Sequence, residues 1–184
     1  TAIANFLPEE RHVVLHTENG MLNMGPEALE EEIDHDLINA GKVPVTELPG
    51  ASYFNHAESF AMMRGGHLDV CVLGAFEVSV NGDLANWSTN SPDAIPAVGG
   101  AMDLAIGARQ VWVMMDLLAK DGSPKLVATC EYPLTGVACV SRVYTGHGVF
   151  TVGGGRVVAE ETFGENTIES LSEILGLPVE SYGG

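Results

Sequence analysis

The run of residues 110–115 limits how this chain can fold more than any other segment does. Gln110 is followed by five consecutive apolar residues, Val111 to Met115. A half-buried strand alternates apolar and polar residues, whereas a strand covered on both faces is continuously apolar, as in the middle of a parallel sheet. The run therefore predicts a central parallel strand, and with it a sheet that is flanked by helices.

Strand signals and helix signals alternate along the rest of the chain. Residues 12–16 are interpreted as a strand that leads into a tight turn, residues 67–73 as a buried strand and residues 76–80 as its neighbour. Residues 149–152 and 156–159 flank three glycines and predict a hairpin. We therefore predict an α/β fold with a mostly parallel sheet flanked by helices and a β-rich C-terminal part.

Three helices follow from apolar faces and from stop signals. One face of the first combines Ala57, Phe60, Ala61 and Arg64, and Gly65-Gly66 ends it. Gly99-Gly100 opens the second, residues 101–108. The last helix is predicted to have Asn166 as its N-cap and Glu169 as the capping-box acid, and to end at Gly176.

Composition bounds the class of protein. The 184 residues are enough for one core, and we expect a single domain over residues 1–184. The net charge is −17, and the 8 basic residues form no cluster of Lys and Arg that could neutralise phosphates. We therefore expect no nucleic-acid partner. We expect no membrane span, because no apolar run is long enough. Three cysteines without a CxxC spacing favour free thiols and a cytoplasmic protein.

The segment 17–26 (TENGMLNMGP) is the strongest candidate for a functional site. In open α/β sheets, ligands bind beyond the carboxyl ends of strands, and Glu18 falls at such an end, before a loop that contains glycine. From the residues alone, an exposed loop glutamate with no function is the commoner outcome.

The same segment resembles the Ser-Glu-Asn-Gly motif of family I CoA-transferases, with Thr17 in place of the serine. Five further segments of that family match in the same order, namely residues 36–42 (DLINAGK), 59–67 (SFAMMRGGH), 82–87 (GDLANW), 99–104 (GGAMDL) and 132–136 (YPLTG). The chain is therefore identified as resembling the B (β) subunit of this family, which has a CoA-transferase-like fold and carries the catalytic glutamate.

The resemblance implies roles for individual residues. Glu18 would attack an acyl-CoA thioester and become a glutamyl-CoA thioester, in a ping-pong reaction. The backbone N–H groups near Gly99 and Gly100, together with Asn19 and Gly20, would bind the oxyanion and CoA. The remaining oxyanion donor would come from an A (α) subunit, in a heterodimer or heterotetramer. Coenzyme A is expected as a substrate, with no permanently bound cofactor.

Two residues are weaker candidates for substrate binding, Arg64 and Met102. Arg64 could hold a carboxylate, or could only brace its helix. His67 and Asp69 lie on the same side of a predicted strand, where a hydrogen-bonded core histidine is commoner than a metal ligand, and we expect no metal site. Cys71 lies in an apolar strand and is not expected to be a nucleophile.

Two shorter sequence segments indicate the substrate branch within the family. Residues 94–100 (AIPAVGG) and 139–145 (CVSRVYT) resemble the 3-oxoadipate branch of the family more than the acetoacetate or succinyl-CoA:3-ketoacid branches. We therefore expect CoA transfer between succinyl-CoA and 3-oxoadipate. An alternative is a paralogue that only assembles or binds a ligand.

The chain departs from the family pattern at three places, and the first and the third motivate that alternative. Leu117 stands where family members have a histidine after the Met-Met strand. This change could alter substrate handling or only packing. Gly146-His147 replaces an expected Asp-Leu pair, which could change a strand edge or an intersubunit contact. The third departure is at the start of the chain, where the resemblance leads us to expect one further helix and one further strand before Thr1.

Overall fold

The computed structural model describes residues 2–8, 10, 12–90 and 97–183. The chain divides into two compact units, Thr1–Met62 and Met63–Gly184, and each is described by itself. The prediction of one domain over residues 1–184 stays a prediction. In the part of the chain that is described, no helix has both the length and the apolar character needed to cross a membrane.

The first unit is built on a three-stranded antiparallel sheet. Its strands are β1 (His16–Thr17), β2 (Met21–Glu27) and β3 (Val45–Tyr53), in the order β1-β2-β3, and its short 3-10 helices are Ala2–Phe6 and Glu30–Glu32. A small core of Met21, Met24 and Val45 lies against it. The strand predicted for residues 12–16 was wrong in extent. Of these residues only His16 is in a strand, although the Leu15 carbonyl also accepts a hydrogen bond from the Asn23 N–H, and Val13 and Val14 are exposed.

Helix α1 (His56–Arg64) follows β3 and crosses the boundary between the units. Asn55 Oδ1 accepts a hydrogen bond from the Glu58 N–H at 2.9 Å, and the Glu58 carboxylate accepts one from the Asn55 N–H at 3.3 Å. This reciprocal pair is a capping box. The predicted end at Gly65-Gly66 is confirmed, with Gly66 at φ +71°.

The second unit holds the larger sheet and most of the core. Its elements are β4 (Val70–Leu73), β5 (Glu77–Ser79), β6 (Leu84–Ala85), α2 (Ala101–Gly107), β7 (Gln110–Met114), β8 (Leu126–Val127), β9 (Val140–Tyr144), β10 (Gly148–Gly153), β11 (Arg156–Thr162), α3 (Ile168–Leu175) and β12 (Val179–Ser181). Six strands form one sheet in the order β12-β11-β10-β9-β7-β4, and three form another in the order β6-β5-β8.

Strand β7 confirms the central parallel strand predicted from the apolar run. It pairs in parallel with β4 on one side and with β9 on the other. Its burial alternates, however: Val111 and Val113 are fully buried, whereas Met114 is 53% exposed. One face of the sheet therefore packs on the core, and the opposite face at β4 and β7 is open among the described residues.

Two strand predictions near β4 were wrong in part, one in its extent and the other in its pairing. Residues 70–73 form β4 as predicted, but residues 67–69 are not in a strand, and Val70 and Val72 are exposed because they lie on the open face of the six-stranded sheet. Residues 76–80 do not pair with it. Their central part, β5, is buried, but it pairs with β6 and β8 in the smaller sheet.

The C-terminal part is rich in strands, as predicted. The hairpin of β10 and β11 is antiparallel around Gly153-Gly154-Gly155, and β12 then pairs in parallel with β11. The predicted α/β class with a largely parallel sheet and a β-rich end is confirmed. Buried residues from both sheets and from α2 and α3 form one core, including Val78, Leu84, Ala105, Val143, Phe150 and Leu171.

Helix α3 begins one residue later than predicted. Thr167, not Asn166, is the N-cap, and its hydroxyl accepts a hydrogen bond from the Ser170 N–H at 3.2 Å. Ser170 returns the bond by accepting from the Thr167 N–H at 2.9 Å, so Ser170 takes the capping-box position assigned to Glu169. The predicted stop at Gly176 is confirmed by its left-handed conformation, with φ +62°.

Candidate functional site

Glu18 lies in the tight turn that joins β1 to β2. The Gly20 N–H donates to the Thr17 carbonyl at 3.1 Å and closes the turn. The Thr17 hydroxyl accepts a hydrogen bond from the Met21 N–H at 3.1 Å, and Thr17 is buried. The predicted passage from strand to turn is therefore present. The sheet is antiparallel, so the rule for carboxyl ends of parallel strands does not account for this position.

Gly20 is required by a close approach between two parts of the backbone. Its φ is +121°, and a Cβ at this position would lie 2.2 Å from the Phe54 carbonyl oxygen. The Phe54 N–H donates to the Gly20 carbonyl at 3.0 Å. A residue with a side chain would break this contact, because the atom it meets belongs to the backbone and cannot rotate away.

Asn19 connects the turn to a neighbouring loop. Its side-chain amide donates to the Ile38 carbonyl at 2.7 Å. The Glu18 carboxylate, by contrast, has no hydrogen bond or ion pair with the residues that the structure describes, and the side chain is only partly buried. The turn thus holds its backbone and Asn19 in place and leaves the Glu18 carboxylate unengaged.

A buried polar pair lies against the turn, and sequence reasoning missed it. Ser59 on α1 is fully buried, and its hydroxyl donates to the Thr17 carbonyl at 3.3 Å. His16 Nε2 lies 3.2 Å from the same hydroxyl oxygen, and the His16 ring stacks on Phe54 with a centroid distance of 5.7 Å. Burial lowers the pKa of His16. Although a serine and a histidine are in contact, the buried Ser59 hydroxyl is closed to a substrate and is not placed as a hydrolase nucleophile.

The predicted glycine pair opens α2 in the second unit. Gly100 is the N-cap, is buried and has φ −81° and ψ 0°. Gly99 is exposed, with φ +53°, and a Cβ added to it would meet no other atom within 4 Å. The predicted helix start is confirmed. Residues 94–96 of the AIPAVGG segment lie outside the described residues.

Arg64 is the last residue of α1, and Met102 lies on α2. Arg64 Nε donates to Asp103 Oδ1 at 2.6 Å, so the arginine braces the end of α1 against α2. Met102 is partly exposed on α2. The bracing alternative for Arg64 is thus observed, and a role of either residue in substrate binding stays a prediction.

The remaining candidates from the sequence are His67, Asp69 and Cys71. His67 is exposed, so its interpretation as a core histidine was wrong, and Asp69 pairs with Arg109 at 2.9 Å. Burial raises the pKa of the Cys71 thiol to about 12, which keeps it protonated and agrees with the prediction that it is no nucleophile. No group of three or more metal-ligating side chains occurs among the residues that were described.

The two internal departures from the family pattern have different surroundings. Leu117 is fully buried and belongs to the main core, where a leucine side chain contributes packing. His147 lies in the turn between β9 and β10, and its N–H donates to Thr145 Oγ1 at 3.0 Å. Its Nδ1 atom is buried without a hydrogen-bond partner among the described residues.

Comparison with known proteins confirms the resemblance. The profile of the family described as Coenzyme A transferase matches residues 1–171. The B subunit of the 3-oxoadipate CoA-transferase of Pseudomonas putida is 56% identical over 179 residues, which cover 97% of this chain and 84% of that protein. The B subunit of the probable succinyl-CoA:3-ketoacid coenzyme A transferase of Bacillus subtilis is 48% identical over 173 residues, which cover 94% and 80%.

A solved structure supports the fold. An acyl-CoA transferase of Escherichia coli O157:H7 superposes with a TM-score of 0.67 at 18% sequence identity, over 92% of this chain and 34% of that longer chain. At this identity the likeness is one of fold alone, and it confirms the predicted CoA-transferase-like architecture.

Proposed function

Because the chain belongs to the coenzyme A transferase family, we propose that it moves CoA between succinyl-CoA and 3-oxoadipate through a covalent thioester on Glu18. The observation that carries the proposal is the Glu18 turn. Its backbone is fixed by hydrogen bonds from Met21, Gly20 and Phe54, while the carboxylate itself is left unengaged within the described residues. A nucleophile needs this combination of a fixed origin and a free reacting group.

The reaction proceeds in two exchanges. A carboxylate oxygen of Glu18 attacks the thioester carbonyl of succinyl-CoA, the C–S bond breaks, and a mixed anhydride and CoA thiolate form. The thiolate then attacks the glutamyl carbonyl carbon, and the anhydride C–O bond breaks to release succinate and leave glutamyl-CoA. The carboxylate of 3-oxoadipate runs both steps in reverse. No proton is gained or lost in the cycle, so Glu18 needs no general base.

Each attack on a carbonyl carbon develops an oxyanion, which needs hydrogen-bond donors. Backbone N–H groups near Gly99 and Gly100 are our candidates, since glycine leaves the backbone accessible. Asn19 and Gly20 are further candidates for binding the oxyanion and CoA. Within the turn, Asn19 donates to the Ile38 carbonyl, and Gly20 permits the approach to Phe54.

The partner and the substrates are supported by the names of the relatives. Both relatives are B subunits, so we propose that this chain acts with an A subunit in a heterodimer or heterotetramer, and that the A subunit supplies the remaining oxyanion donor. The higher identity to the 3-oxoadipate enzyme, 56% against 48%, favours 3-oxoadipate as acceptor. The three free cysteines favour a cytoplasmic location.

Trapping the covalent intermediate tests the proposal. The chain, assembled with its A subunit, is incubated with succinyl-CoA and then treated with borohydride, which reduces a glutamyl thioester and inactivates the enzyme. Wild type should lose activity and carry a primary alcohol in place of the Glu18 carboxylate, since reduction breaks the C–S bond and releases CoA, and peptide mass mapping detects this change. Glu18→Ala should show neither the reduction product nor transfer. Glu18→Asp should lose on the order of 10²-fold in rate, because its carboxylate is withdrawn by about 1 Å.

Glu27→Ala is the matched control, because Glu27 is an exposed carboxylate at the far end of the same hairpin. It should give the reduction product as wild type does. Transfer by Glu18→Ala at a rate near that of wild type would show that another residue is the nucleophile.

A further inference from the structure

The Thr17 carbonyl connects the turn that contains Glu18 to helix α1. It belongs to the peptide group that joins Thr17 to Glu18, and it accepts two hydrogen bonds, from the Gly20 N–H at 3.1 Å and from the Ser59 hydroxyl at 3.3 Å. A carbonyl oxygen has two lone pairs, so both are used. The plane of the peptide group that leads into Glu18 is therefore fixed by one bond within the turn and one bond from helix α1.

The direction of the hydrogen bonds behind this carbonyl follows from counting protons. Ser59 has one hydroxyl proton, which it donates to Thr17, so its oxygen accepts the contact with His16 Nε2 at 3.2 Å. Both contacts of Ser59 are hydrogen bonds only when His16 Nε2 carries a proton. Because burial favours the neutral ring by lowering its pKa, this is the neutral tautomer with its proton on Nε2. The chain of hydrogen bonds runs from His16 through Ser59 to the Thr17 carbonyl.

We propose that Ser59 and His16 are positioning residues, whose hydrogen bonds fix the peptide group before Glu18 and so aim its carboxylate at the thioester. The inference rests on the proposed function, since it presumes Glu18 to be the nucleophile. Ser59 is fully buried, and the half-buried His16 ring stacks on Phe54, so both side chains are packed against neighbouring residues. Rigid supporting groups of this kind keep a reacting atom within the narrow range of productive geometry.

Four variants of the assembled enzyme test the inference. Ser59→Ala removes the donor to Thr17, and His16→Phe removes the Nε2 proton while keeping a ring to stack on Phe54. Both should lower kcat by about tenfold to 10²-fold and leave the KM of both substrates nearly unchanged, since misplacement affects the reaction and not binding. The double variant should be no slower than Ser59→Ala, because one break already interrupts the chain of hydrogen bonds. His16→Gln, which restores an N–H donor, should recover part of kcat.

Ser79→Ala is the matched control for the loss of a buried serine. Ser79 is also fully buried, donates to Asp83 Oδ2 at 2.8 Å and accepts from the N–H groups of Asn81 and Asp83. It should lose stability but keep its kcat. If kcat of Ser59→Ala and His16→Phe stays within about twofold of wild type, or falls no more than in Ser79→Ala, the positioning role is wrong.

The same assay distinguishes three further outcomes. If Ser59→Ala does not fold, the positioning role is tested by the kcat of His16→Phe and by its recovery in His16→Gln. If Glu18→Ala retains activity, both the proposed nucleophile and the positioning role are wrong. An inactive Glu18→Ala beside a fully active Ser59→Ala and a fully active His16→Phe would overturn only the positioning role.

Discussion

At the scale of single residues, the sequence located the turn of Glu18 but not what surrounds it. The local pattern of an apolar run followed by Asn19 and Gly20 was sufficient to place a tight turn. The contacts that explain it come from Phe54 and Ser59, more than 30 residues away, and no periodicity within the turn indicates them. Ser59 gave a weak signal as a hydroxyl among the apolar residues of α1, which is a common arrangement without functional meaning.

Gly20→Ala should destabilise the first unit by more than the strain that a side chain causes at a positive φ angle. Gly50 is the matched control, since its φ is also positive, at +89°, but a Cβ there meets only the end of the Asn23 side chain, at 3.9 Å. Gly50→Ala should cost about 1 kcal/mol, and Gly20→Ala at least about 1–2 kcal/mol more, because its Cβ meets the Phe54 carbonyl. Urea unfolding measures both, and equal losses would show that the contact with Phe54 relaxes freely.

At the scale of elements, the type of most helices and strands was predictable, and their boundaries and pairing were less so. Thr167 and Asn166 are adjacent residues that both favour N-caps, and the extended backbone of Thr167 decides between them. Strand β5 pairs with β8, nearly fifty residues later, and apolar patterning carries no information about such a partner. The alternating burial of β7 was missed because its apolar run predicts cover on both faces.

The corrected cap of α3 can be checked by substitution. Thr167→Ala removes the acceptor for the Ser170 N–H and should lower the free energy of unfolding by about 1 kcal/mol. Asn166→Ala leaves this acceptor in place and should cost less, although it removes a bond to the Phe163 carbonyl. Thermal or urea unfolding compares the two variants. A larger loss of unfolding free energy in Asn166→Ala would indicate that Asn166 is the N-cap, as the sequence predicted.

At the scale of the whole molecule, the family, the α/β class and the enzyme type were within reach of the sequence because the motifs span nearly its full length. The choice of substrate rests on finer differences. Part of the segment that distinguishes the 3-oxoadipate branch, residues 94–96, lies outside the described residues, so its contacts give no physical account of that choice.

Substrate preference therefore has to be measured on the assembled enzyme. We expect kcat/KM with succinyl-CoA as donor to be higher for 3-oxoadipate than for acetoacetate. 3-Oxoadipate has a second carboxylate that a suitable site can bind, and acetoacetate would leave that site unpaired. A tenfold preference for acetoacetate, about 1.4 kcal/mol, would assign the chain to the other branch.

The exposed edge of the six-stranded sheet has a consequence for the colloidal behaviour of the isolated chain. Strand β4 is uncharged, its outer edge has no neighbouring strand among the described residues, and Val70 and Val72 are exposed on it. Such an edge is a template for pairing with another copy. We expect the apparent molar mass that light scattering measures for the chain without the proposed A subunit to rise with concentration. Val72→Lys should suppress it, because a charge on an edge strand opposes pairing, whereas Val137→Lys, the same change at an exposed valine outside the strands, should not. Equal suppression by both would point to net charge instead of the edge.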